Sequence, residues 1–206
     1  IKLFEQRAID ILVGTQMVVK GLDFEHVNLV GIIDADGILS FTDFRVNEKA
    51  YQLMEQVSGR AGRKDDQGKV LIQVSQANHP VLQFVQQHNY PALFNFEIDN
   101  RQAFNYPPFS RIILITCKHV DKNVAQEAAN ILMRGLSSNY GKYITGPAQP
   151  VVDRIRNQYL WELLCKIPKQ QVSIGTFKTR LQQQILILQT NKRYRSVSIV
   201  INVDPL

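Results

Sequence analysis

The chain has 206 residues, 45% hydrophobic and 20% charged, which suits one large domain or two small ones and excludes a wholly disordered chain. No apolar run reaches the length of a membrane span, and no secretory signal opens the sequence. The net charge is +6 but uneven: residues 1–78 carry 9 Lys+Arg against 11 Asp+Glu, and residues 79–206 carry 15 against 7. The basic half is therefore the one expected to meet a polyanion. Two cysteines, Cys117 and Cys165, are too few for a disulfide scaffold, so a reduced, cytoplasmic compartment is the default expectation.

In chain order, residues 9–13 (IDILV) read as a buried strand ended by Gly14, and 27–33 (VNLVGII) as a second strand closing on the turn 34–37. Val46, Ala50, Leu53 and Val57 fall at spacings of four, three and four, one face of a helix that Gly59 and Gly62 stop. Residues 69–74 form the next strand. Strands alternating with helices predict a parallel α/β layer, and a unit that opens inside such a pattern is expected to be cut from something longer. Residues 79–104 read as two short helices separated at Pro91. Tyr106-Pro107-Pro108-Phe109 cannot continue a helix, because proline lacks the amide donor and restricts the residue before it. The expected units are thus 1–78, a helical connector 79–105, and 106–206.

Beyond the boundary, the pattern predicts a strand over 111–118, a helix over 124–136 and a turn-rich stretch over 141–150. A hairpin follows, 151–156 and 159–167 turning at Asn157-Gln158, then a helix over 172–189 and a strand over 197–203. This β-α-β-β-α-β order is that of a ferredoxin-like or related split sandwich.

Two segments carry the chemistry. In Gln56-Val57-Ser58-Gly59-Arg60-Ala61-Gly62-Arg63, two arginines three residues apart leave a helix through a loop with two glycines. Glycine lets a backbone approach a ligand closely, and guanidinium forks suit phosphate oxygens. A solvated basic helix end is the bland alternative. Residues 14–24 (GTQMVVKGLDF) follow an expected strand, which puts their polar groups at the carboxyl end of a parallel sheet, where ligands bind in open α/β folds. Cys117 and His119 share a strand face but lack further partners at ligand spacing, so no metal site is expected.

These two stretches resemble motifs V and VI of superfamily 2 helicases. With 43–48, His79-Pro80, Tyr106 to Arg111 and the closing Val203-Asp204-Pro205, the chain is similar to the primosomal replication-restart DNA helicases, the primosomal protein N-prime family. The resemblance implies a partial RecA-like second helicase lobe, followed by a smaller C-terminal domain that contacts branched DNA. It implies that Arg60 and Arg63 reach the terminal phosphate of ATP and that Gln56 opens their motif. Thr15 and Gln16 would lie near the DNA backbone, and Gly21 and Asp23 would face nucleotide. ATP and Mg2+ are implied for the longer protein, with zinc only in an upstream cysteine-rich segment. Branched and single-stranded DNA are the implied partners, with primosome-loading and single-strand-binding proteins and no membrane.

No G-x-x-x-x-G-K-S/T is present. The nearest string, Gly62 to Gly68-Lys69, has five intervening residues and Val70 where a magnesium-binding hydroxyl belongs. The chain alone is therefore expected not to hydrolyse or hold ATP. A non-enzymatic nucleic-acid-binding module, for RNA or DNA, and a helicase-like docking remnant are the alternatives. For the basic half, the candidate phosphate contacts are Arg154, Arg156, Lys166, Arg193 and Arg195, with Trp161 expected in the core by strand alternation.

Overall fold

The computed structural model describes residues 2–15, 27–41, 43–59, 61 and 68–205. The chain divides into two compact units, Ile1–Asp99 and Asn100–Leu206. Each has its own core.

The first unit holds helix α1 (Lys2–Glu5), strand β1 (Leu29–Ile32), helix α2 (Asp36–Leu39), helix α3 (Val46–Ser58) and strand β2 (Lys69–Ile72). Helix α4 (Pro80–Gln86) and the start of helix α5 (Tyr90–Ala103) complete it. Strands β1 and β2 pair in parallel, Leu29 opposite Lys69 and Ile32 opposite Ile72, as the alternation of strands and helices predicts. The buried stripe of α3 is Ala50, Tyr51, Met54 and Val57. Its Ala50, Tyr51 and Met54 pack with Val81, Val85 and Leu93 from α4 and α5, against Ile32 and Ile72 of the sheet.

Two expectations are corrected in this unit. Residues 9–13 are irregular rather than a buried strand, with Ile11 78% and Val13 85% exposed. An apolar run becomes a strand only when a ladder partner accepts it, and among the described residues β1 and β2 pair only with each other. Pro91 does not separate two helices; it lies in the first turn of α5, where its missing N–H costs nothing. The break falls at 87–89, where the Asn89 Oδ1 accepts from the Ala92 N–H at 3.0 Å.

The second unit runs strand β3 (Ser110–His119), helix α6 (Lys122–Tyr140), strand β4 (Ile144–Ala148), strand β5 (Arg154–Ile155), strand β6 (Gln158–Pro168), helix α7 (Ile174–Thr190) and strand β7 (Ser198–Val203). The antiparallel sheet has the order β4-β6-β3-β7, with β5 paired to β6. Ile113, Ile115 and Cys117 of β3 and Leu163, Cys165 and Ile167 of β6 point to one face. There they bury against Ala128, Leu132 and Leu136 of α6 and Phe177, Leu181 and Leu188 of α7. Trp161 packs against this core, as alternation predicts. Asp121 caps α6, its Oδ1 accepting from the Asn123 N–H at 2.8 Å, and the Ser173 side chain caps α7.

The predicted hairpin shifts in two ways. Its first arm is only the two-residue β5, and the sheet's outer strand is β4, which falls in the stretch expected to be turns. Gly146-Pro147 hides this strand from a sequence reading. The register slips between Thr145 and Ala148, an irregularity that an edge strand tolerates. The hairpin turns at Arg156-Asn157 rather than Asn157-Gln158, with φ of 48° and 63°. Positive φ at both central residues is the type I′ geometry whose twist matches the flanking strands.

Candidate nucleic-acid interface

In the first unit residues 9–13 form no strand, so the expected placement of 14–24 at a strand's carboxyl end is not found, and two bonded carboxylates order the chain around β1, β2 and α3. The Asp36 Oδ2 accepts from both the N–H and the hydroxyl of Ser75, each at 2.7 Å, tying the start of α2 to the loop after β2. Ahead of α3, the Asp43 carboxylate accepts from the Arg45 N–H at 3.0 Å, the Arg45 guanidinium Nε at 3.2 Å and the Lys49 ammonium. Burial alone would raise this carboxyl, but the bonds from Lys49 and Arg45 prevail and hold it at about 2. Asp43 thereby fixes the start of the helix that leads to Gln56. Gln56 is exposed on the last turn of α3, one turn before the Gly59 C-cap, and Thr15 is exposed in irregular chain. Gln16, Gly21, Asp23, Arg60 and Arg63 lie outside the described residues.

In the second unit, β-pairing settles which basic residues share a surface. Arg154 lies opposite Tyr159, and Tyr159 lies opposite His119. The His119 Nε2 meets the Ser196 hydroxyl at 3.2 Å, which brings in the loop that carries Arg195. Arg154, Arg156, Tyr159, His119, Ser196 and Arg195 thus share one end of the sheet. Four strand positions side by side span about 14 Å at ~4.8 Å per gap. The Arg154 guanidinium stands 4.8 Å over the Tyr159 ring and donates to the Asn157 Oδ1 at the hairpin tip.

Two of the candidates separate from this group. Lys166 lies opposite Ile112 at the other end of β6, seven residues and about 23 Å from Tyr159 at ~3.3 Å per residue. Its ammonium sits 3.7 Å over the Tyr106 ring. Arg193 belongs to the right region but is engaged, its Nε and Nη2 each donating to Glu127 at 2.8 Å while the Tyr194 hydroxyl donates at 3.0 Å. The Arg193 guanidinium, then the Tyr194 hydroxyl, hold the Glu127 carboxyl below its ordinary range, and the same bonds raise Arg193. Arg193 pins the loop to α6, while Lys192 and Arg195 are exposed on it. Tyr159, His119 and Ser196 were missed in the sequence. The turn at Arg156-Asn157 sets Arg154 opposite Tyr159, and the separate pairing of β3 with β6, which no local pattern shows, sets Tyr159 opposite His119.

Burial pushes the Cys117 and Cys165 thiols up to about 12, so both remain thiols rather than metal-binding thiolates at neutral pH. Among the described residues no three His, Cys, Asp or Glu side chains converge on a metal position, and no helix is long and apolar enough to cross a membrane.

The family described as Primosomal protein N C-terminal domain matches residues 102–206, and the Helicase conserved C-terminal domain matches residues 1–65. Replication restart protein PriA of a Synechocystis species is 38% identical across 98% of this chain, which covers 24% of that relative. The Bacillus subtilis protein of the same name is 35% identical over 98% of the chain and 25% of its own length. The Haemophilus influenzae one is 30% identical over 98% and 27%. The chain spans about a quarter of the length of these relatives. It belongs to the primosomal protein N family, the replication restart PriA proteins, with a helicase C-terminal segment leading into the family's C-terminal domain.

Proposed function

We propose that this chain is the C-terminal portion of an ATP-dependent DNA helicase that recognises stalled or branched replication forks and restarts replication by primosome assembly. The observation that carries this reading is the order of the two family matches, a helicase segment over residues 1–65 and then the family's C-terminal domain over residues 102–206. ATP with Mg2+ is the substrate, and its hydrolysis supplies the driving force for strand separation. Arg60 and Arg63 neutralise charge on the terminal phosphate, and Gln56, at the end of α3, opens their motif. An arginine in that role is worth roughly 10³–10⁵ in rate in phosphoryl transfer. Gly21 and Asp23 face the nucleotide, while Thr15 and Gln16 follow the DNA backbone. The phosphate-binding and metal-binding lobe lies in the longer protein, as does any zinc segment, so this chain alone is inactive. The protein acts in the cytoplasm, with loading and single-strand-binding proteins as partners.

The test uses the full-length parent protein and a forked oligonucleotide. Arg60→Lys replaces a planar fork by a point charge, so DNA-stimulated ATP turnover falls at least a hundredfold while the melting temperature holds. Near-normal turnover in both Arg60→Lys and Arg63→Lys refutes the assignment. Failure of the parent protein to unwind or hydrolyse ATP on any fork refutes the reading as a whole.

A further inference from the structure

We propose that the hairpin end of the C-terminal sheet is a binding site for single-stranded nucleic acid, held by the Arg154–Tyr159 stack and by the charges of Arg156 and Arg195. This rests on the reading of the second unit as a DNA-contacting domain, and it places the contact and names its strand state.

Charge supplies the first part. Arg156 and Arg195 are exposed, and among the described residues neither guanidinium has a hydrogen-bond or ion-pair partner. Both stand at the end of the sheet that also holds His119 and the Ser196 hydroxyl. Their rigidity is unequal to that of an ordinary surface arginine. Arg156 is the first central residue of a two-residue turn, so its backbone has little freedom. Arg195 follows Arg193 and Tyr194, both bonded to Glu127, and its own N–H donates to the Asn191 carbonyl at 3.0 Å. Fixed backbones at both positions leave only the side-chain rotamers to be ordered when the guanidiniums meet phosphates.

The strand state follows from the platform between them. Arg154 is planar, exposed and stacked over Tyr159, a surface on which an unpaired base can lie. Bases in a duplex are already stacked on each other and cannot use it. The end of the sheet spans about 14 Å at ~4.8 Å per strand gap, room for about four stacked nucleotides at ~3.4 Å each. On the opposite face the aromatic ring is that of Tyr106, already covered by the Lys166 ammonium at 3.7 Å. The central positions of that face are Leu114, Thr116, Glu162 and Leu164, with the Thr116 hydroxyl donating to Glu162 Oε1 at 3.2 Å.

The test is fluorescence anisotropy of the 206-residue chain with labelled oligothymidine and with a blunt duplex, each over a range of salt concentrations. Arg156→Asn removes the charge while keeping a residue that suits the turn, and Arg195→Gln is an exposed change. Together they should flatten the salt slope on oligothymidine by about 1.4, at ~0.7 per phosphate. Tyr159→Leu should weaken oligothymidine binding about tenfold with the slope unchanged, and leave the duplex unaffected. An unchanged slope in the folded double variant, or a slope lost instead through Lys166→Gln, overturns the site. Equal weakening of both ligands by Tyr159→Leu overturns the single-strand assignment. Absence of binding to either ligand at low salt overturns the DNA-contacting reading itself.

Discussion

Gly146 is the residue whose replacement the fold of the C-terminal unit should tolerate least for its size. It sits in edge strand β4 at φ +108°, a backbone conformation that L side chains rarely adopt. A Cβ there would lie 2.6 Å from the Glu162 carbonyl oxygen and 3.2 Å from the Ala148 nitrogen. Both are backbone atoms, so no rotamer change relieves the clash. Either β4 peels from β6, or the register already slipped between Thr145 and Ala148 slips further. The left-handed penalty and the clash together give Gly146→Ala a cost of about 2–4 kcal/mol. A unit of this size loses ~4 °C in melting midpoint per kcal/mol, so the fall should be about 8–16 °C. Gly141→Ala is the internal control, since its Cβ would meet only the Ser137 Cβ at 3.6 Å, an ordinary contact. Circular dichroism melts of the two variants decide the matter. A Gly146→Ala midpoint within ~2 °C of the parent refutes the strain assigned to β4.

Three further outcomes are expected. Asp43, held at about 2 against 3.8 when free, stabilises the first unit fully above about pH 4 and loses that contribution as the pH falls through 2. The loss is at most about 2 kcal/mol, and urea unfolding of the parent and Asp43→Asn should converge below pH 2; a difference that persists there refutes the carboxylate's role. Cys117 and Cys165 should resist a thiol reagent in the folded chain and react only with denaturant, because both are fully buried and titrate near 12. Reaction of either within seconds under native conditions contradicts that burial. Glu127→Gln should lower the pH dependence of the loop that carries Arg193 without unfolding the domain; a cooperative collapse of the whole unit would show that the pair holds more than the loop.

Elements with a clean period were legible in the sequence. The strands β3 and β7 and the two helices that cover the second sheet follow spacing that no competing signal disturbs, whereas the buried stripe of α3 is Ala50, Tyr51, Met54 and Val57 and keeps only Ala50 and Val57 of the expected Val46, Ala50, Leu53 and Val57. Residues 9–13 misled because periodicity reports apolar character and not the presence of a ladder partner. β4 was hidden by Gly146-Pro147, which locally reads as a turn and physically marks an irregular edge. At the candidate site, the residue types were legible and their grouping was not. The Arg193 partner, Glu127, lies 66 positions away, a pairing that no local pattern reveals. The distance of Lys166 from Arg154 follows from strand rise alone, because Lys166 lies seven residues along β6 from Tyr159, the residue opposite Arg154.

The order of strands and helices does not by itself say where a strand of DNA would lie on the second unit. A four-stranded sheet with helices on one face invites the expectation that nucleic acid crosses the other face, stacking bases on the two central strands. Here those strands place Leu114, Thr116, Leu164 and Glu162 on that face. Aliphatic side chains give a base no π partner, and the Glu162 carboxylate near the centre repels a phosphate backbone. The charges and the stacked Arg154–Tyr159 pair gather instead where the turn, the end of β3 and the loop before β7 meet. The sheet therefore acts as a frame that fixes these three segments side by side, and the contact belongs to its end. An electrostatic origin requires that affinity at this end fall steeply with salt, whereas the stacking share stays constant, and that separation is what distinguishes Arg156 and Arg195 from Tyr159.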